Sequence, residues 1–158
     1  MNNYRFLEMK YKDEIEKHIK KALPFLYGSF IQFRDATDYE DGNLSFDLVF
    51  NFNFTISIRI RQNKYIKFND MTIRYKSKKG NKTEFDKINE GMAQIYLYAY
   101  ENENRTSLSK VRMADVESLR KLIKENKYKT YSNNDGTMLA AFKFNDINLA
   151  GGAIYKYN

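Results

Sequence analysis

The sequence predicts an α/β fold of the mixed, α+β kind, with a single central mixed sheet flanked by helices. Three observations predict it. Apolar residues recur every four positions between residues 3 and 22, later segments alternate apolar and polar residues, and from residue 83 onward helix and strand patterns take turns. At 158 residues, with no internal repeat, low-complexity tract or linker, the chain reads as one domain over 1–158, long enough to bury a real core.

Leu7, Tyr11, Ile15 and Ile19 line one face of the first helix, and Pro24, the only proline, closes it. GSFIQFRDAT starts a strand around residues 28–34 that runs into the acidic loop DATDYEDGN, where Asp41-Gly42-Asn43 marks a tight turn. In LSFDLVFNF, residues 44–52, Leu44, Phe46, Leu48, Phe50 and Phe52 share one face, and Ser45, Asp47, Val49 and Asn51 the other. Asn51-Phe52-Asn53 is short enough for a hairpin connection into TISIRIRQ, residues 55–62, so these two strands are expected to be antiparallel neighbours. In that second strand Ile56, Ile58 and Ile60 face one way and Ser57, Arg59 and Arg61 the other, with the two arginines roughly 7 Å apart. NDMTIRYKS, residues 69–77, is a further strand with Thr72 and Arg74 on one face.

After the loop KKGNK, Thr83 caps a short helix, Asp86 supplies a shortened capping box, and Gly91 ends it. Phe85, Ile88 and Met92 form its apolar stripe, which leaves Glu84 and Lys87 as neighbours at i and i+3. AQIYLYAYE, residues 93–101, is a buried strand, and ENENRTSLSK is a surface loop. VRMA leads to a second amphipathic helix capped by Asp115, with Val116, Leu119, Leu122 and Ile123 inward. The polar stretch NKYKTYSNNDG precedes the strand TMLAAFKF, residues 137–144, and a small C-terminal segment.

Composition narrows the chemistry. Lys+Arg number 27 against 20 Asp+Glu, a formal charge of +7, which suits either an anionic partner such as nucleic acid or a basic, soluble surface. With no cysteine and one histidine, disulfide frameworks, Cys/His zinc sites and cysteine nucleophiles are excluded. A Ser-His-Asp triad could only use His18, which sits among lysines in EIEKHIKK and reads as a solvated or satisfied helix histidine. Hydrolysis would have to run on carboxylates, lysine, arginine, tyrosine and a hard cation. No apolar run approaches the roughly 18 residues of a membrane span, and no signal peptide precedes the first helix. An intracellular, cytoplasmic protein with no membrane partner is therefore expected. The 13 Tyr and 12 Phe supply much of the core, and some tyrosines could stack on bases.

The order helix, strand hairpin, third strand, helix, strand resembles the core of the restriction endonuclease-like, or PD-(D/E)XK, nuclease superfamily. That resemblance implies an acid on the second core strand and an acid-x-lysine pair on the next, together holding a divalent metal such as Mg²⁺ or Mn²⁺ beside the lysine that activates water. Asp47 in SFDLVF stands where the first acid is expected, whereas Arg59-Ile60-Arg61 stands where acid-x-lysine should be, and arginine neither ligates a metal nor acts as a base at pH 7. A closer resemblance is to uncharacterised phage and prophage proteins. It is carried by DATDYEDGNLSFD at 35–47, RIR at 59–61 and TIRYKSKKGNKTEFDKINEG at 72–91, about half the chain, and no established activity comes with it.

The candidate site is the sheet face of Asp47, Arg59, Arg61 and Arg74, near the start of the helix bearing Glu84 and Lys87. Two readings stand side by side. In one, Asp35, Asp38, Asp47 and Glu84 pair with the arginines and fix the sheet against the helix; in the other, unpaired arginines grip phosphate bidentately. Glu84 and Lys87 are read either as a surface ion pair or as a migrated acid and lysine of a nuclease site, with Asp47 and Glu84 as its metal ligands. Basic density at Lys76, Lys78, Lys79 and Lys82, and lysines interleaved with Tyr128 and Tyr131, are further phosphate-tracking candidates against a default of solvated lysines. The expected function is a phage-type nucleic-acid-binding protein with a degenerate or rearranged nuclease site. The alternatives are a non-catalytic factor binding a host or phage protein, such as an inhibitor of a defence system, and a binder of a small nucleotide in a concave pocket beside the arginines.

Overall fold

The computed structural model describes residues 10–22, 33–35, 48–50, 55–78 and 80–157, with 33–35 and 48–50 described through their backbone. The elements run α1 (Lys12–Ala22), β1 (Phe33–Asp35), β2 (Leu48–Phe50), β3 (Thr55–Arg61), a 3-10 helix (Asn63–Phe68), β4 (Asp70–Lys76), α2 (Glu84–Asn89), β5 (Ile95–Glu101), β6 (Leu108–Asp115), α3 (Val116–Lys124), β7 (Lys129–Ser132), β8 (Met138–Lys143), α4 (Phe144–Leu149) and β9 (Ala153–Tyr157). The mixed α/β class holds, but the strands form two sheets where one was expected. Six lie in the order β1-β2-β3-β5-β6-β9, and three in the order β4-β8-β7.

Within the larger sheet β1, β2 and β3 are antiparallel, and Leu48 pairs with Ile56 as the hairpin reading required. β5 then lies parallel to β3, with Ile58 opposite Leu97 and Arg59 opposite Tyr98. A parallel return needs a long crossover, and here the 3-10 helix, β4 and α2 all fall inside it. β5 is buried along all seven residues, which is why IYLYAYE carries no polar face until Glu101.

Alternation sends the two faces of this sheet to different partners. Ile56, Ile58, Ile60, Leu97, Ala99, Val111 and Met113 pack with Ile15 and Ile19 of α1, and with Tyr11 just before it, in one cluster. Tyr96, Tyr98, Tyr100 and Ala114 face a second cluster formed with Met71 and Ile73 of β4, Phe142 of β8, and residues of α2, α3 and α4. β4 lies over the tyrosines: the Thr72 and Tyr98 hydroxyls are 2.8 Å apart, and the Tyr100 hydroxyl donates to the Asp70 carbonyl at 2.6 Å. The 3-10 helix is what lifts β4 out of the first sheet, ending on Asn69 with φ 50 before the chain turns back. Alternation alone cannot specify which of two sheets a strand joins, so the single-sheet expectation failed at β4 and β8.

The caps behave as the sequence indicates. The Thr83 N–H donates to Asp86 at 2.8 Å, the Asp86 N–H donates back to the Thr83 hydroxyl at 3.3 Å, and Gly91, at φ 74, follows the end of α2. Asp115 caps α3 by accepting from Ser118 N–H at 2.8 Å. The C-terminal half holds more strand than expected: Leu108–Asp115 pairs with both β5 and β9, and Lys129–Ser132 pairs with β8. Among the described residues no helix is long and apolar enough to cross a membrane.

Candidate anion-binding cleft

β3 ends with Arg59 and Arg61 on the face turned to the second sheet, and β4 returns over that face carrying Arg74. These three arginines line one cleft of about 390 Å³, together with Gln62 and Tyr65 from the start of the 3-10 helix. The opposite wall is the β7–β8 turn, through Asn133, Asp135 and Thr137. That turn is locally stiff: Asp135 Oδ1 accepts from Thr137 N–H at 2.9 Å and from its hydroxyl at 2.7 Å, while Asn133 Nδ2 donates to Thr137 Oγ1 at 2.9 Å.

The arginines divide between the two roles set out for them. Arg59 is 4% exposed and its guanidinium pairs with Glu84. Glu84 Oε2 also accepts from the Arg74 backbone N–H at 2.7 Å, and Oε1 accepts from the Tyr96 hydroxyl at 3.4 Å. Desolvation pushes the Glu84 carboxyl up, but Arg59, the Arg74 N–H and the Arg74 charge outweigh it and hold it below the usual carboxylate range. Arg59 therefore serves the structural reading, tying β3 to α2 and β4.

Arg61 and Arg74 are placed differently. Among the described residues neither forms a salt bridge with a carboxylate. The Arg61 guanidinium lies over the Tyr65 ring, 4.4 Å from its centroid, and its Nε is buried without a hydrogen-bond partner among the described residues. Burial raises the carboxyl of nearby Asp70, and the Arg61 charge partly offsets this. Asp135 at the rim is held below its usual range by its Thr137 hydrogen bonds first, with Arg74 adding to them. Two guanidinium groups facing a polar wall can donate to an oxyanion in bidentate fashion.

Other expected site residues scatter. Lys87 is buried on α2 and is not part of the cleft wall. Lys78 is exposed and reaches the β7–β8 turn, its Cδ 4.0 Å from where a side chain at Gly136 would begin. Tyr128 is committed to the core, 5.2 Å from the Phe85 ring and 5.6 Å from Phe142, whereas Tyr131 is 49% exposed. His18 is satisfied: it is 4% exposed, with Nδ1 3.0 Å from the Tyr155 hydroxyl. Asp38, Asp47 and Lys79 lie outside the described residues, as does the side chain of Asp35.

Glu84 already accepts from three groups, and no cluster of three or more His, Asp or Glu gathers among the described residues. Sequence reasoning missed Tyr65 and the turn Asn133–Thr137; NNDG was legible as a turn, but not as one facing β3. The sequence matches no family model and no curated protein.

Proposed function

We propose that the protein binds phosphate-bearing ligands, nucleic acid first among them, through the cleft of Arg59, Arg61 and Arg74. Its core is read as restriction endonuclease-like, with a degenerate metal-dependent nuclease site, in a phage or prophage setting. The observation that carries the reading is the convergence of three arginines from two sheets on one cleft, where only Arg59 has a carboxylate partner among the described residues. Its volume of about 390 Å³ is that of a small-ligand site, so a nucleotide or one unit of a strand fits the same geometry. The strand plan supports the fold part: one helix, three antiparallel strands, a crossover containing a helix, and a strand parallel to the third. The degeneracy is supported by Arg59-Ile60-Arg61 on that third strand and by the use of Glu84 as a counter-ion.

A specific observation also favours a second reading, a factor that binds a host or phage protein. β7 is exposed at all four residues and forms one edge of the smaller sheet, an arrangement that a partner strand can extend.

Fluorescence anisotropy with labelled single- and double-stranded DNA and RNA, across a salt series, separates the two. Salt-sensitive binding that is lost in Arg61→Ala/Arg74→Ala, with the variant still folded, supports the cleft. Salt-independent binding of a protein partner alone, lost when Tyr131→Asp is introduced into β7, supports the second reading. Adding Mg²⁺ or Mn²⁺ to the same samples and running them on a gel reads whether a rearranged site containing Asp47 and Glu84 cleaves.

A further inference from the structure

The face of the larger sheet that bears the tyrosines carries cations on both sides of them, not only on β3. Register places Arg59 opposite Tyr98, Tyr98 opposite Arg112, and Arg112 opposite Lys156, so one row across four strands reads Arg, Tyr, Arg, Lys. The next row reads Arg61, Tyr100, Lys110. Because directly paired residues point to the same face, Lys110, Arg112 and Lys156 form a second cationic group separated from the cleft by the tyrosines and the strand lying over them.

Lys156 is the exposed member of this group and Lys110 is half-buried, and the three cations are crowded together. Arg112 and Lys110 both lie against the Phe144 ring, 5.5 and 5.6 Å from its centroid, and Lys156 is exposed on the edge strand. Arg112, the buried member, donates to the Val111 and Tyr157 carbonyls, which fix its guanidinium. The Lys110 ammonium is pushed below the usual lysine range by desolvation, and then by Arg112 and Lys156. Its hydrogen bond goes to a neutral group, Asn69 Oδ1 at 2.8 Å.

The 3-10 helix joins the two cationic groups. At its start Tyr65 supports Arg61 in the cleft; just past its end Asn69 binds Lys110. Along it Lys64 and Lys67 are exposed, and Phe68 is 58% exposed beside the Lys67 ammonium. An aromatic ring held out in water among cations gains most from an unpaired base, since a duplex keeps its base faces stacked inside.

We infer that Lys110 and Lys156, backed by the buried charge of Arg112, form with Lys67 and Phe68 a second contact surface for single-stranded nucleic acid, continuing the strand from the arginine cleft over the 3-10 helix. This rests on the cleft reading for the strand's other end.

Two probes keep the two ideas separable: a 5′-phosphorylated dinucleotide, which reaches the cleft alone, and a single strand of about 12 nucleotides, which spans both surfaces. Lys110→Ala/Lys156→Ala is expected to weaken the longer strand roughly tenfold or more and to flatten its salt slope by about 0.7 for each phosphate no longer neutralised, leaving the dinucleotide unchanged. Phe68→Ala, at an exposed side chain, is expected to weaken the longer strand several-fold with no change in salt slope. Circular dichroism of each variant excludes unfolding as the cause, and Lys156→Glu provides a charge reversal at an exposed position. Wild-type affinity and salt slope in the lysine variant would overturn the second surface while leaving the cleft standing. Weakened binding in the lysine variant with none in Arg61→Ala/Arg74→Ala would keep the second surface and remove the cleft. Equal binding of a duplex of the same length, or no binding of either probe by the wild type, would overturn the assignment to single strands.

Discussion

Arg59 in the middle of β3 and Glu84 in the first turn of α2 form an ion pair that joins elements 25 residues apart. The same Glu84 oxygen accepts the Arg74 N–H, so one carboxylate ties together β3, α2 and β4. Removing one partner of a buried pair typically costs about 3–5 kcal/mol, because the other charge is left uncompensated. Arg59 is 5% exposed at its side chain and Glu84 31%, which puts Glu84→Gln nearer about 2 kcal/mol. Its pH dependence follows from direction. A carboxyl held below its unfolded value of 4.5 stabilises the fold above that pH, and the contribution is lost as pH falls through the folded value. Urea unfolding should therefore show wild type and Glu84→Gln well separated at pH 7 and converging below pH 4.5. A constant gap would remove the ion pair as its origin.

The neighbouring arginine should behave oppositely. Arg61 has no carboxylate partner among the described residues and rests on Tyr65, a contact of roughly 0.5–1 kcal/mol. Arg61→Ala is therefore expected to leave Tm within a few degrees of wild type while reducing oligonucleotide affinity about tenfold or more, whereas Arg59→Ala lowers Tm strongly. Equal destabilisation by both would mean that the whole arginine face is internal scaffolding.

This division could not be read from sequence. Alternation in TISIRIRQ placed Arg59 and Arg61 on one face, and the structure keeps them there because the isoleucines opposite are buried against α1. Which arginine meets a carboxylate depends on where α2 docks, and α2 docks by its apolar stripe, a tertiary fact. Arg74 reached the cleft by a route the sequence did not reveal: the expected single sheet would have set it beside Arg61, whereas it faces the arginines from a second sheet. The caps at Thr83 and Asp115 were legible because their partners lie three residues away. β6 was not, because Ser109, Lys110 and Arg112 break its apolar pattern while pairing on both edges secures the strand.

Close packing at Gly152 gives a prediction independent of the cleft. A Cβ there would meet Ser118 Cβ at 2.4 Å, a clash that no rotamer change relieves because Ser118 Cβ is fixed to the α3 backbone. The Gly152 carbonyl also accepts from Asp115 N–H at 2.8 Å, so the chain cannot back away without loosening the α3 cap residue. Gly152→Ala is expected to cost about 1–3 kcal/mol, the usual range for overpacking. Adding Ser118→Gly should restore part of that stability despite its helix penalty. No recovery in thermal melts of the double variant would mean that the strain lies elsewhere.

His18 makes stability depend on pH near neutrality. Its ring is buried, with Nδ1 at the Tyr155 hydroxyl, Nε2 4.0 Å from Glu14, and the Tyr157 ring centroid 4.6 Å away. Desolvation first, then the charges of Lys21 and Lys17, hold its pKa below the ordinary 6.5. The unfolded chain therefore takes up a proton at a higher pH than the folded one, so stability falls as pH drops below 6.5 and levels off once the folded histidine is also protonated. Glu84 titrates below this window and does not obscure it. His18→Gln keeps a hydrogen-bonding group toward Tyr155 and cannot titrate. Wild-type Tm is expected to decline between pH 7 and pH 5.5 while the Tm of His18→Gln stays nearly level across the same range. Parallel declines in the two proteins would transfer the effect to another group.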